Sequence, residues 1–265
     1  MSISIPFGAP AWVDSMTPDL AADVAFYSGL FGWKAADGGA EWGHYTELRI
    51  GETAEDGRSI GGIVPNDSER GDAPGEWNLY FLVEDCAAKA AEAEKLGARI
   101  TVAPMDIGDL IFSMVQDPNG AVFGLFQAKS DEMGFKAFAE PNAPMWFEYS
   151  YDGVPAEAMK FYADLLGWDV ITPPWEDPNN PRPYAALRAD GAEQEFGGCH
   201  PAEGPEKDLP PQWVTMILVE DADATCAKAA ELGGKVVAEP TDVPQTRIAG
   251  VQSPTGATLG VMAPR

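Results

Sequence analysis

The stretch Ala25-Phe26-Tyr27-Ser28-Gly29-Leu30-Phe31-Gly32-Trp33 decides the fold, because it returns 135 residues later as Lys160-Phe161-Tyr162-Ala163-Asp164-Leu165-Leu166-Gly167-Trp168. Trp77 and Val83-Glu84-Asp85 return as Trp213 and Val219-Glu220-Asp221, and Leu96-Gly97 returns as Leu232-Gly233. The run Val115-Gln116-Asp117-Pro118-Asn119-Gly120-Ala121 returns as Val251-Gln252-Ser253-Pro254-Thr255-Gly256-Ala257. A register that holds over nearly the whole chain marks a duplicated scaffold. Any functional side chain can therefore be sought at two matching positions.

The 265 residues suffice for two domains of ordinary size, and 45% hydrophobic residues with eight Trp supply a core for each. Acidic residues number 42 against 17 basic ones, a formal charge of −25. That balance argues against nucleic acid or an anionic membrane as partner, since both reward clustered Lys and Arg. Met1 to Trp12 shows no basic region followed by an apolar run, and no stretch has the length of a membrane span. Cys86, Cys199 and Cys226 form no CxxC pair and read as reduced thiols of a cytoplasmic protein.

Each half parses as strand, helix and strands, twice over, an α+β arrangement. In the first half a strand from Ala11 to Met16 precedes a helix, with Thr17 expected as N-cap, Pro18 at the first helical position and Gly32 as terminator. Strands near His44–Ile50 and Ser59–Val64 follow, then Trp77–Val83, an alanine-rich helix to Leu96, and further strands. Asp117-Pro118-Asn119-Gly120 has the composition of a tight turn. The expected domains are residues 1–130 and 144–265, joined by a linker at 131–143. Pro173 to Pro183, with Trp175 inside it, has no counterpart in the first half and reads as an exposed loop, or as a lid.

This order of elements, with Thr17-Pro18-Asp19-Leu20, Phe26-Tyr27, Leu30-Phe31-Gly32-Trp33, Val83-Glu84-Asp85 and Asp117-Pro118-Asn119-Gly120, resembles the vicinal oxygen chelate superfamily of glyoxalases, bleomycin-resistance proteins and extradiol dioxygenases. It is similar in particular to a tandem, single-chain branch of actinobacteria that includes a culture-filtrate antigen and hydroxylase-like proteins. The resemblance implies four βαβββ modules forming two glyoxalase-like domains with curved, cleft-forming mixed sheets. It also implies a divalent metal held in each cleft. The positions it assigns to metal ligands fall on Trp12, Asn78 and Gly124 in the first half, and on Trp146, Val214 and Gly260 in the second. Tryptophan, valine and glycine side chains cannot ligate, so neither a metal nor a cofactor is expected.

Period-two alternation carries the cleft reading further. It groups Trp12 with Asp14, Asn78 with Tyr80, and Tyr45 with Glu47 in the first half. In the second it groups Trp146 with Glu148, Val214 with Met216, and it matches Tyr184 to Tyr45. Asp14 and Glu148 are the acids that recur, and they are the candidate acid–base groups; Trp12 and Trp146 are ligand walls or core plugs. His44 and His200, the chain's two histidines, read as surface or satisfied groups. Cys199 and His200 are strand neighbours pointing to opposite faces, which argues against a nucleophilic pair. The expected function is binding of a small aromatic or cationic organic molecule by a monomer, with a dimer as the alternative. An enzyme, either a glyoxalase-like aldehyde detoxifier or a hydroxylase, is the second reading, and an interaction protein with filled clefts the third.

Overall fold

The computed structural model describes residues 4–130 and 132–265. Met1 to Ile3 at the start of the first domain, Asp131 at the head of the expected linker, and the side chain of Pro205 lie outside the described residues. The first half contains β1 (Pro10–Thr17), α1 (Leu20–Phe31), β2 (Lys34–Asp37), β3 (Thr46–Ile50) and β4 (Arg58–Pro65). It continues with β5 (Glu76–Leu82), α2 (Cys86–Lys95), β6 (Arg99–Asp106), β7 (Leu110–Gln116) and β8 (Val122–Ala128). The second half repeats the series as β9 (Pro144–Tyr151), α3 (Pro155–Leu166), β10 (Asp169–Ile171), β11 (Ala185–Arg188) and β12 (Gly197–Pro201). It closes with β13 (Gln212–Leu218), α4 (Ala222–Glu231), β14 (Lys235–Val243), β15 (Thr246–Gln252) and β16 (Thr258–Pro264). The chain is thus α+β and built from repeated βαβββ modules.

Local chemistry sets the helix ends. Asp19, not Thr17, caps α1, accepting the Ala22 N–H at 3.0 Å. Thr17 stays in β1, level with Pro65 of β4, and its Oγ1 accepts the Asp19 N–H at 3.2 Å. The Val-Glu-Asp repeat ends in two further caps, Asp85 on Ala88 N–H and Asp221 on Ala224 N–H, each at 2.9 Å. Gly32 and Gly167, both at φ 76°, terminate α1 and α3 in the left-handed conformation that glycine adopts without strain.

Strand order is β2-β3-β4-β1-β5-β8-β7-β6 in one eight-stranded sheet and β10-β11-β12-β9-β13-β16-β15-β14 in the other. Both are mixed: β1 runs parallel to β4, β5 to β8, β9 to β12 and β13 to β16, while the hairpins are antiparallel. The expectation of curved, cleft-forming sheets is overturned. Each sheet is open and runs between two edge strands, β2 and β6 or β10 and β14. Bulky side chains also lie down on glycines instead of standing round a hollow. A Cβ added at Gly62 would fall on the Tyr45 ring, at Gly124 on the Tyr80 ring, at Gly198 on the Tyr184 hydroxyl and at Gly260 on the Met216 sulfur.

Two compact units divide the chain, and each takes modules from both halves. One comprises the segment up to Trp12, Asn78–Gly134 and Trp146–Trp213; the other comprises Val13–Trp77, Phe135–Met145 and Val214–Arg265. In the second unit Phe26, Tyr27, Leu30 and Trp33 pack with Ile217, Val251 and Val261, and Trp77 donates to the Tyr27 hydroxyl at 2.8 Å. Trp33 donates to the Asn142 carbonyl at 2.7 Å, and Thr255 to the buried Asp23 carboxylate at 2.8 Å. Ala137 and Ala143, in the expected linker, belong to this core.

The first unit uses the duplicate set. Trp213 donates to the Tyr162 hydroxyl at 2.9 Å, and Trp168 to the Gly8 carbonyl at 2.7 Å. Its centre is Asp117, a buried carboxylate. Oδ1 closes the predicted turn by accepting the N–H groups of Asn119, Gly120 and Ala121 at 2.9, 2.7 and 2.9 Å. Oδ2 accepts the hydroxyls of Tyr149 at 2.7 Å and Tyr162 at 3.0 Å. Burial, reinforced by that charge, holds both phenols well above the ordinary tyrosine range, so they remain donors. Among the described residues no helix is long and apolar enough to cross a membrane. Asp117→Ala leaves the Tyr149 and Tyr162 hydroxyls and the Asn119 and Ala121 N–H groups without that carboxylate acceptor. It should cost about 3 kcal/mol in denaturant unfolding, and a loss below about 1 kcal/mol would contradict that role.

Candidate functional site

Alternation along β9 places Trp146, Glu148 and Ser150 on one face. The parallel neighbour β12 sets Gly198 level with Glu148 and His200 level with Ser150. Because Gly198 has no Cβ, the Tyr184 side chain lies across it and its hydroxyl donates to Glu148 Oε2 at 3.0 Å. The Trp146 indole N–H points at the same oxygen at 3.0 Å and at the Tyr184 hydroxyl at 3.2 Å. His200 Nδ1 sits 2.9 Å from Glu148 Oε1, and its Nε2 sits 3.1 Å from Oε2 of Glu206, on the 3₁₀ turn Gly204–Asp208. Side-chain exposure climbs along this row, from 17% at Glu148 to 30% at His200 and 47% at Glu206.

Burial alone would push the imidazolium towards its neutral form, but the hydrogen bonds to Glu148 and Glu206 outweigh that and hold His200 up to about 10. The same pairing holds the Glu206 carboxyl below its ordinary range. Burial, followed by the charge of Glu148, drives the Tyr184 phenol above its usual range and keeps its proton in place. At neutral pH the row therefore carries an imidazolium between Glu148 and Glu206, backed by a tyrosine donor. Glu148 accepts from three groups, and a carboxylate offers about four lone-pair positions, so one is left for a substrate proton. Cys199, on the opposite face, is buried, and burial pushes its thiol up, so it is no thiolate nucleophile. Beside the row, Glu176 accepts the Tyr184 N–H at 2.6 Å and anchors the loop that carries Trp175. That indole, 49% exposed, lies 5.4 Å from the Tyr184 ring centre.

Of the residues predicted from sequence, Trp146, Glu148 and Tyr184 come together. Trp12 instead packs on a cluster of Ala11, Tyr80, Met114 and Phe126, and Asn78 is buried. Tyr45 covers Gly62, Asp14 is half-buried and level with Gly62, and Met216 covers Gly260. The Glu47 carboxylate is engaged by Arg49, at 2.9 and 3.2 Å, and by the Ser59 hydroxyl. His200 and Glu206 were not predicted as partners of Glu148. The alternation that faces Trp146 and Glu148 one way also pairs Gly198 with His200, but only the β9–β12 register sets them beside Glu148. The first-half position level with Met16, where His200 would recur, is Val64.

The metal positions implied by the resemblance do not fit an ion. The Tyr80 ring and the Met216 sulfur occupy the space over Gly124 and Gly260. Among the described residues no three His, Cys, Asp or Glu side chains are grouped to hold a metal.

The family model described as the glyoxalase/bleomycin resistance protein/dioxygenase superfamily matches residues 10–125 and 150–261. The chain is 34% identical over 264 residues to "Putative glyoxylase CFP32" of Mycobacterium tuberculosis, covering 97% of this chain and 95% of that protein. It is 32% identical over 272 residues to the anthracycline biosynthesis protein DnrV of Streptomyces peucetius, covering 96% and 93%. In fold it is similar to a Mn(II)-bound glyoxalase from Novosphingobium aromaticivorans, with TM-score 0.61, 14% identity and coverage of 97% and 82%. It is likewise similar to the 2,3-dioxygenase LapB from Pseudomonas, with TM-score 0.61, 14% identity and coverage of 96% and 91%.

The raised His200 and lowered Glu206 define a pH window for the bridge. His200 contributes its full stabilisation below its unfolded value of roughly 6.5, and that contribution is lost as pH rises through about 10. Glu206 contributes above its ordinary value near 4.5, a contribution lost as pH falls through its depressed one. Melting temperature followed from pH 6 to 11 should fall more steeply for wild type than for His200→Gln. Parallel curves would show that the bridge contributes nothing.

Proposed function

The chain belongs to the glyoxalase/bleomycin resistance protein/dioxygenase superfamily, and from that membership we propose that it is an enzyme acting by acid–base chemistry on a small, oxygen-bearing organic substrate. Glu148 is the group that exchanges a proton with the substrate. The observation that carries this reading is its carboxylate, 17% exposed and oriented by Trp146, Tyr184 and His200. A carboxylate fixed by three donors keeps its geometry while a proton arrives or leaves. Asp14, its duplicate, stands in a row that has Val64 in place of the imidazole, so the reaction is assigned to Glu148 alone.

Aromatic side chains suit a flat substrate. Trp146, Tyr184 and the exposed Trp175 offer stacking surfaces beside the carboxylate. The names of the relatives support both halves of the proposal, one pointing to a glyoxalase-type reaction and another to the biosynthesis of an oxygenated polycyclic compound. Those names favour catalysis over simple binding, which the sequence alone placed first. Binding without turnover remains the second reading, favoured by the three lone-pair positions of Glu148 that are already occupied.

Purified protein assayed with methylglyoxal plus a thiol, and with hydroxylated anthraquinones, tests the proposal. Turnover of one of these should fall by about 100-fold or more in Glu148→Gln, the usual contribution of a general acid–base group, and stay near wild type in Asp14→Asn. Undiminished turnover in Glu148→Gln would remove that residue from the mechanism. A ligand-induced rise in melting temperature without turnover would establish the second reading instead.

A further inference from the structure

We propose that Glu206, on the 3₁₀ turn Gly204–Asp208, is a positioning residue that holds His200 as a charged hydrogen-bond donor aimed through Nδ1 at Glu148. This rests on Glu148 being the acid–base group of the site. The geometry supplies the argument. Both ring nitrogens of His200 face carboxylate oxygens, Glu148 Oε1 at 2.9 Å and Glu206 Oε2 at 3.1 Å. A neutral imidazole carries a single N–H, so one of those carboxylates would face a bare ring nitrogen, lone pair to lone pair. Only the imidazolium satisfies both contacts, and charge-assisted bonds of this kind are the strong ones.

The other groups around the ring do not replace either partner. Tyr184 donates to Glu148 on the far oxygen, and the Cys199 thiol, buried on the opposite face, contributes no charge. Asp152 is engaged by Arg182 at 3.4 Å and Lys207 at 3.7 Å. With both N–H groups bonded, the ring keeps its proton, and its Nδ1–H fixes Oε1 of Glu148 in place while the second oxygen is held by Tyr184 and Trp146. In the first half the position matching His200 by strand register is Val64, so the charged donor occurs once.

Nitrogen-detected NMR of imidazole-labelled protein tests this directly, because the chain has two histidines and His44→Gln assigns them. In wild type His200 should keep both N–H protons at pH 8 and titrate near 10. Glu206→Gln should lower that midpoint by about one unit or more, a tenfold loss of proton affinity, and Glu206→Asp should restore most of it. A wild-type midpoint near the ordinary value of about 6.5, or one that Glu206→Gln leaves in place, would overturn the proposal. A lowered midpoint in Glu206→Gln, together with turnover that Glu148→Gln does not affect, would keep the charged bridge and sink only the catalytic reading.

Discussion

A single buried carboxylate organises the unit in which the candidate site lies. Asp117 closes its own turn with one oxygen and accepts two tyrosine hydroxyls with the other. Tyr149 comes from β9 and Tyr162 from α3, so the carboxylate fixes the strand and helix of the third module against the turn after β7. Tyr149 is next to Glu148 in β9 and points the other way. The face that is locked and the face that is left for chemistry are therefore two sides of the same strand. Trp213 adds a donor to the Tyr162 hydroxyl, so every polar atom in the chain from indole to carboxylate has a partner.

Duplication made much of this legible in the sequence. The recurring Phe-Tyr, Gly-Trp and isolated Trp positions mark the indole-to-phenol pairs Trp77–Tyr27 and Trp213–Tyr162 and the indole-to-carbonyl pairs of Trp33 and Trp168. Helices, terminating glycines and the Asp117 turn were readable because each depends on residues a few positions apart. The cap of α1 falls on Asp19 and not on the expected Thr17 because Thr17 is drawn into β1 by pairing with β4, which lies far along the chain. Sheet shape is not legible in the sequence for a related reason. Whether glycine faces stay hollow depends on which distant side chain folds over them, and Tyr45, Tyr80, Tyr184 and Met216 fill them.

The candidate site shows the same boundary. Glu148 was visible as an acid two residues from a tryptophan, and Tyr184 by its match to Tyr45. His200 reads from sequence as a surface or satisfied histidine, and only strand register sets it beside Glu148. The two copies have also diverged at a definite point. Asp14 and Glu148 both lie level with a glycine covered by a tyrosine, but the next position on the neighbouring strand is Val64 in one copy and His200 in the other. One change from an apolar to an imidazole side chain, together with a carboxylate on the following turn, separates a filled surface from a charged row.

The most direct test of this account is a double-mutant cycle between Glu148 and His200, read as unfolding free energy for Glu148→Gln, His200→Gln and the pair at pH 7. Side chains coupled through one charge-assisted bond should interact by about 1 kcal/mol or more. Additive losses, with a coupling indistinguishable from zero, would contradict the charged bridge on which the assignment of the site depends.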